Sequence, residues 1–156
     1  MRILFLDDNK HRHNTFRQKA IGCVVDAAFD AQQAISFLRE KKEYEMIFLD
    51  HDLDAEIEGI CHEDIEDGRF VVKQMIEMEL HVEMQDVAIV VHSLNGAGAA
   101  QMISMLTSAG FTNVHRVPFA WTRFTREDKQ VSFPPMRGED YRPAEESVHF
   151  ADDDSE

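Results

Sequence analysis

Two apolar runs in this chain end in acidic residues, and both ends are suited to holding a cation. Met46-Ile47-Phe48 leads into Leu49-Asp50-His51-Asp52-Leu53, and Ile3-Leu4-Phe5-Leu6 leads into Asp7-Asp8. Carboxylates gathered at the ends of buried strands repel one another and lose hydration, a penalty of several kcal/mol unless a cation or a shared proton compensates. The pattern therefore predicts a divalent metal site with Asp7, Asp8, Asp50 and His51 as candidate ligands. Hard carboxylate oxygens suit Mg²⁺ or Mn²⁺, and an imidazole from His51 or His92 moves the preference toward Mn²⁺, Fe or Zn²⁺. Successive side chains of an extended segment point to opposite sides, so Asp50 and Asp52 share one side and His51 takes the other. His51 is thus the weakest ligand of the set. A metal held by Asp7, Asp50 and His92 would polarise a phosphoryl oxygen and acidify a bound water.

The third apolar run with chemistry at its end is Ile89-Val90-Val91, followed by His92-Ser93-Leu94-Asn95. An imidazole with an ordinary pKa of about 6.5 exchanges protons near neutrality, so His92 is the candidate proton-handling group, with Asp50 and Asp52 assisting the metal or orienting water. Asn95-Gly96-Ala97-Gly98 is a small-residue turn into a helix, where bare backbone N–H groups and the helix dipole favour phosphate. The lysine of a Walker loop is missing from it. Ser93, Asn95, Gly96 and Arg12 form the candidate phosphate-binding set, while Lys10 and Arg116 are further cations nearby and Arg116 can equally snorkel at the surface. His62, Glu63, Asp64, Glu66 and Asp67 crowd residues 52–67, a long loop of the kind that closes over a substrate or stays solvated. His11 and His13, two apart on a helix, face different ways and cannot both line one pocket.

These residues need elements to position them. Apolar runs at 3–6, 24–28, 46–49, 87–91 and 114–117 read as strands, and amphipathic stretches at 9–20, 31–42, 68–80 and 98–108 read as helices, the last ended by Gly110 as a C-cap glycine. Strand-helix alternation with short, almost wholly apolar strands predicts a doubly wound parallel sheet with helices on both faces. In such a sheet ligands bind beyond the carboxyl ends of the strands where strand order reverses. For the order 2-1-3-4-5 that point lies between the first and third strands, which are the two that end in acidic residues. Residues 121–135 lack a clean helical period, so a final helix is degenerate or missing. The mixed aromatic and basic segment from Arg123-Phe124-Thr125-Arg126 to Arg137 suits a nucleotide base, RNA or a protein partner.

Composition sets the outer limits. The 156 residues, 44% of them hydrophobic, fit one domain able to bury roughly 68–70% of its unfolded surface. We expect an α/β domain over 1–120, an extension packed on it over 121–142, and an acidic, disordered tail over 143–156. The net charge of −14 opposes duplex DNA and anionic membranes but not a small phosphorylated ligand or an RNA end held through a metal. Cys23 and Cys61 have no paired spacing and read as reduced thiols. With no leader-like segment and no long apolar run, a cytoplasmic protein is expected.

The arrangement resembles the receiver domain of response regulators, a flavodoxin-like fold in which an acidic pair after the first strand binds a divalent ion and an Asp ending the third strand accepts a phosphoryl group. By position Asp7 and Asp8 match the pair, Asp50 the acceptor and Ser93 the small hydroxyl residue after the fourth strand. A receiver carries a Lys before the proline after its fifth strand, whereas here Val117 precedes Pro118; ordinary receivers also lack the histidine found at His92. The chain is more similar to the divergent cyclic-phosphate processing receiver domains of phage and bacterial conflict systems. Leu6-Asp7-Asp8 with Arg12, Leu49-Asp50-His51-Asp52-Leu53, and His92-Ser93-Leu94-Asn95 running into Gly96-Ala97-Gly98-Ala99 carry that resemblance over about residues 1–120. It implies a metal-dependent phosphoesterase acting on a cyclic nucleotide or an RNA 2′,3′-cyclic end, in the host cytoplasm if phage-encoded. The readings that compete with it are a phospho-accepting signalling receiver and a non-catalytic RNA- or protein-binding module.

Overall fold

The computed structural model describes residues 1–53, 66–93, 95–117, 123–125 and 130–132. Five short strands form one parallel sheet: β1 (Arg2–Leu6), β2 (Val24–Ala28), β3 (Met46–Leu49), β4 (Ala88–Val91) and β5 (Val114–Arg116), in the order β2-β1-β3-β4-β5. This is the doubly wound arrangement that the alternation of periods predicts, with the reversal of strand order between β1 and β3. The central strands are buried along almost their whole length, which is why their sequences are apolar at every position instead of at alternate ones.

The two faces of the sheet have different partners. Helix α1 (Lys10–Lys19) covers one face, where Phe16 and Ala20 pack with Ile3, Phe5, Met46, Phe48 and Val90. Helices α2 (Ala31–Arg39), α3 (Gly68–Glu77) and α5 (Gly96–Ser108) cover the other, where Ala34, Leu38, Val71, Met75, Met102 and Leu106 meet Leu4, Leu6, Ile47, Leu49, Ile89 and Val91. Each long helix is opened by a side-chain cap: Asn9, Asp30, Asp67 and Asn95 accept from amides of the first turn.

Helix boundaries differ from the periodic reading for local reasons. The stretch 68–80 is not one helix, because Glu79 takes φ 54° and a separate turn, α4 (Leu80–Glu83), then carries Leu80 into the core. α2 stops at Arg39, short of residue 42, with Lys41 also in the left-handed region. α5 begins at Gly96, earlier than 98, since Asn95 caps it there. Gly110 is the expected terminator: it has φ 107° one residue past the cap Ala109, and the Phe111 amide returns to the Leu106 carbonyl.

No helix follows β5 among the described residues; β6 (Arg123–Thr125) and β7 (Gln130–Ser132) pair as a small antiparallel ladder instead. The remainder of the expected extension 121–142, the tail 143–156, and His62, Glu63, Asp64 and Cys61 of the long loop lie outside the described residues. No helix among the described residues is long and apolar enough to cross a membrane.

Candidate metal and phosphate site

Strand register brings the chemistry together. Leu6 pairs with Leu49 and Leu49 with Val91, so Asp7, Asp50 and His92 each leave the sheet one residue past the same level. Backbone bonds continue the ladder through them, with the Asp50 amide on the Leu6 carbonyl at 3.2 Å and the His92 amide on the Leu49 carbonyl at 3.0 Å. Alternation then sets direction. Phe5, Phe48 and Val90 lie on the α1 face, and the residues two further on, Asp7, Asp50 and His92, point the same way.

The three side chains are buried to within a few per cent, and one ligand atom from each lies within 4.8 Å of the others. His92 Nε2 donates to Asp7 Oδ2 at 3.0 Å, and its ring stacks on Phe5 with centroids 5.2 Å apart. Arg12, in the first turn of α1, forks onto Asp7: Nε donates to Oδ2 at 2.7 Å and Nη2 to Oδ1 at 2.9 Å. Its Nη2 is 3.6 Å from Asp50 Oδ2 and 3.8 Å from Asp8 Oδ1. The Asn9 amide also donates to Asp7 Oδ1 at 2.8 Å.

Two neighbouring carboxylates are therefore driven in opposite directions. Burial pushes the Asp7 carboxyl up, but hydrogen bonds from His92 and Arg12 outweigh it and hold the pKa at about 2. Burial also pushes Asp50 up, and here Asp7 and Asp8 add to the effect while His92 and Arg12 only partly offset it, so Asp50 is raised to about 6. Asp50 Oδ2 is buried without a hydrogen bond among the described residues. Two buried carboxylates and an imidazole around one such oxygen are a donor set suited to Mg²⁺ or Mn²⁺, with the imidazole admitting Zn²⁺ or Fe.

The other candidate ligands are arranged differently. Asp8 is a quarter exposed and is not part of the cluster formed by Asp7, Asp50 and His92. His51 follows Asp50 and so faces the opposite side of the sheet, where its ring lies against α5: a methyl group on Gly98 would sit 2.5 Å from His51 Cδ2. His51 Nδ1 donates to Asp52 Oδ1 at 2.7 Å, and Nε2 is 3.7 Å from Asp67 Oδ2. Asp52 is largely exposed and also accepts from Asn95 Nδ2 at 3.2 Å. His51 and Asp52 thus belong to a bracket that ties the end of β3 to the starts of α3 and α5.

The phosphate-binding candidates gather at the start of α5. Ser93 is buried and its Oγ accepts from the Asn95 amide at 3.1 Å, while Asn95 Oδ1 accepts from the Gly98 amide at 3.0 Å. Gly96 opens the helix, and a methyl group there would meet Arg116 Nη2 at 3.5 Å. Arg116 therefore lies beside the same helix end. Its Nε is buried without a hydrogen bond among the described residues.

His13 escaped the sequence reading, which placed it only as one of two divergent histidines. It is buried, its Nε2 donates to the Asp7 backbone carbonyl at 2.7 Å, and its ring contacts Phe5 edge-on and stacks on Phe29 at 3.9 Å. The available signal was its spacing from Phe16 and Ala20, three and seven residues on, along the buried stripe of α1.

A five-stranded parallel sheet in 2-1-3-4-5 order with an acidic cluster at the ends of β1 and β3 is the receiver architecture. Solved structures similar to it are receiver domains: a signal receiver domain from Vibrio parahaemolyticus (TM-score 0.52, 16% identity, 75% of this chain and 78% of that one); a CheY-like response regulator receiver domain protein from Methanospirillum hungatei (0.52, 15%, 74% and 79%); and a response regulator receiver domain protein from Clostridium thermocellum (0.51, 14%, 75% and 82%). At such identities the likeness shows the fold. A search of curated proteins gave no match. The family model of the cyclic-phosphate processing receiver domain matches residues 2–108, and the chain belongs to that family.

Proposed function

We propose that the protein is a metal-dependent phosphoesterase that opens a cyclic phosphate, either a cyclic nucleotide or an RNA 2′,3′-cyclic end. The observation that carries this reading is the buried Asp7, Asp50 and His92 cluster with an Asp50 oxygen lacking a hydrogen bond among the described residues. Membership of a cyclic-phosphate processing family supports the substrate class, and the net charge of −14 favours a small ligand or a chain end over a duplex.

Asp7 and Asp50 with His92 would hold the ion, which when bound supplies Lewis-acid polarisation of a phosphoryl oxygen and a more acidic water. Hydrolysis forms a bond from water oxygen to phosphorus and breaks the bond to one ribose oxygen, which must take up a proton. The attacking water supplies that proton, and His92, its ring stacked on Phe5 beside Asp7, would fix the ion at the strand end. Asn95 orients the first turn of α5, whose uncapped amides and the nearby Arg116 guanidinium give the phosphate a place to dock. Asp52, reached by Asn95 and His51, keeps that turn in line with the end of β3.

The test is a metal-supplemented screen of cyclic mono-, di- and oligonucleotides and cyclic-ended RNAs, comparing wild type with Asp50→Ala and His92→Ala. The reading requires turnover of at least one substrate by wild type and its loss in both variants; equal rates in all three proteins would end it. A phospho-accepting receiver is the second reading, because the Asp50 oxygen without a hydrogen bond among the described residues, at the end of β3, also suits a nucleophilic carboxylate. Incubation with a small phosphodonor and intact-mass measurement distinguishes the two, with a mass gain that Asp50→Ala abolishes supporting the second.

A further inference from the structure

We propose that Arg12 is a resident counter-cation that a divalent ion must displace, and that the displaced guanidinium then serves as the phosphate clamp. The inference rests on the metal-site reading above. Both Asp7 oxygens are already hydrogen-bonded: Oδ2 accepts from Arg12 Nε and His92 Nε2, and Oδ1 from Arg12 Nη2 and the Asn9 amide. Arg12 Nε stands 2.7 Å from Asp7 Oδ2, so a divalent ion taking that oxygen meets a like charge at close range, a repulsion that withdrawal of the guanidinium relieves. The same guanidinium stands 3.6 Å from Asp50 Oδ2, the oxygen that has no hydrogen bond among the described residues. Arg12 therefore covers both carboxylates the ion needs.

Displacement is feasible because Arg12 is the one part of the cluster that reaches solvent. Its side chain is about a third exposed, against none for Asp7 and 6% for Asp50. It sits in the first turn of α1 on a long flexible stem, and Asp8, 3.8 Å away, offers a position nearer the surface. Released from Asp7, the fork keeps five donors in a plane that matches a phosphate edge. Metal and phosphate then bind in order: the ion frees the arginine, and the arginine adds to the affinity for phosphate.

The sign of one substitution separates this from a merely structural role. If Arg12 competes with the ion, Arg12→Gln tightens Mn²⁺ binding by about tenfold or more, since a charge-assisted fork and a like charge are removed together. If Arg12 only holds Asp7 in place, the same variant weakens Mn²⁺ binding, which overturns the proposal. Arg12→Lys, keeping the charge without the fork, falls between wild type and Arg12→Gln. Inorganic phosphate binding to the Mn²⁺-loaded protein falls about tenfold in Arg12→Gln; an unchanged phosphate affinity overturns the clamp. A readout on wild type needs no variant: the Arg12 Nε–H resonance, protected in the ion-free protein, shifts and exchanges faster on adding Mg²⁺. A resonance that stays put while Mg²⁺ binds elsewhere in the spectrum overturns the displacement alone, and wild type taking up no divalent ion removes the metal-site reading along with it.

Discussion

His13 stands behind Asp7 and holds its backbone, the Nε2–H of the one donating to the carbonyl of the other at 2.7 Å. Burial lowers the His13 pKa and so favours the neutral ring, which packs between Phe5 and Phe29. His13→Ala removes a buried ring and the partner of a strand-end carbonyl, and should cost about 2–4 kcal/mol by denaturant unfolding. His13→Phe fills the space but not the bond, and should recover most of the stability while leaving Mn²⁺ affinity reduced. Calorimetric titration of the two variants separates packing from the positioning of Asp7.

Asp50 gives the ion-free protein a pH dependence of unusual sign. Its folded pKa of about 6 exceeds the ordinary 3.8, so its contribution is fully present below about 3.8 and is lost as pH rises through 6. Asp50→Asn removes the buried charge and should stabilise the ion-free protein by about 2–3 kcal/mol at pH 7.5 but not at pH 4. His13 opposes this between its lowered pKa and about 6.5, losing stability as pH falls. The comparison is therefore made between variant and wild type at each pH, by urea unfolding. Equal stability at pH 7.5 would contradict the burial account of Asp50.

Two glycines of one helix should respond in opposite ways. A methyl group at Gly98 collides with the His51 ring, which is held by Asp52 and flanked by Asp67, whereas at Gly96 it meets only Arg116 Nη2 at an ordinary 3.5 Å. Gly98→Ala should destabilise by about 1–3 kcal/mol despite the better helix propensity of alanine. Gly96→Ala should be neutral or slightly stabilising. Thermal melts of the pair, with His51→Ala as a background that relieves the clash at Gly98, check the assignment.

Much of this site was legible because strand ends are legible. The apolar runs before Asp7, Asp50 and His92 are nearly unbroken, and once strand order is inferred their ends must share one edge of the sheet. Alternation alone also set His51 apart from Asp50. What the residues did not show was which partner satisfies which: Arg12 reads as a phosphate group on its spacing, yet in the fold it is bound to Asp7, a pairing that depends on the approach of α1 to β1. His13 was hidden because a polar helix offers little periodic contrast, and its burial follows from Phe5 and Phe29, neighbours far away in sequence or beyond the helix. The break at Glu79 has no glycine or proline to announce it.

The capping of α5 ties its first turn to the residue beyond the end of β3. Asn95 Oδ1 caps the helix while its Nδ2 reaches Asp52, so Asn95→Ala should cost about 1 kcal/mol from the lost cap and weaken phosphate binding to the metal-loaded protein. Asn95→Ser restores the cap without the reach to Asp52. Recovery of stability without recovery of phosphate affinity is the expected pattern in unfolding and phosphate titrations.

The central claim is that the ends of β1, β3 and β4 share one divalent ion. Titration of ion-free protein with Mn²⁺, read by calorimetry and by the loss of the free-ion electron paramagnetic signal, tests it most directly. The account predicts one ion per chain in wild type, and loss of that uptake in Asp7→Asn, Asp50→Asn and His92→Ala alike. No uptake by wild type, or uptake that survives all three substitutions, would contradict it.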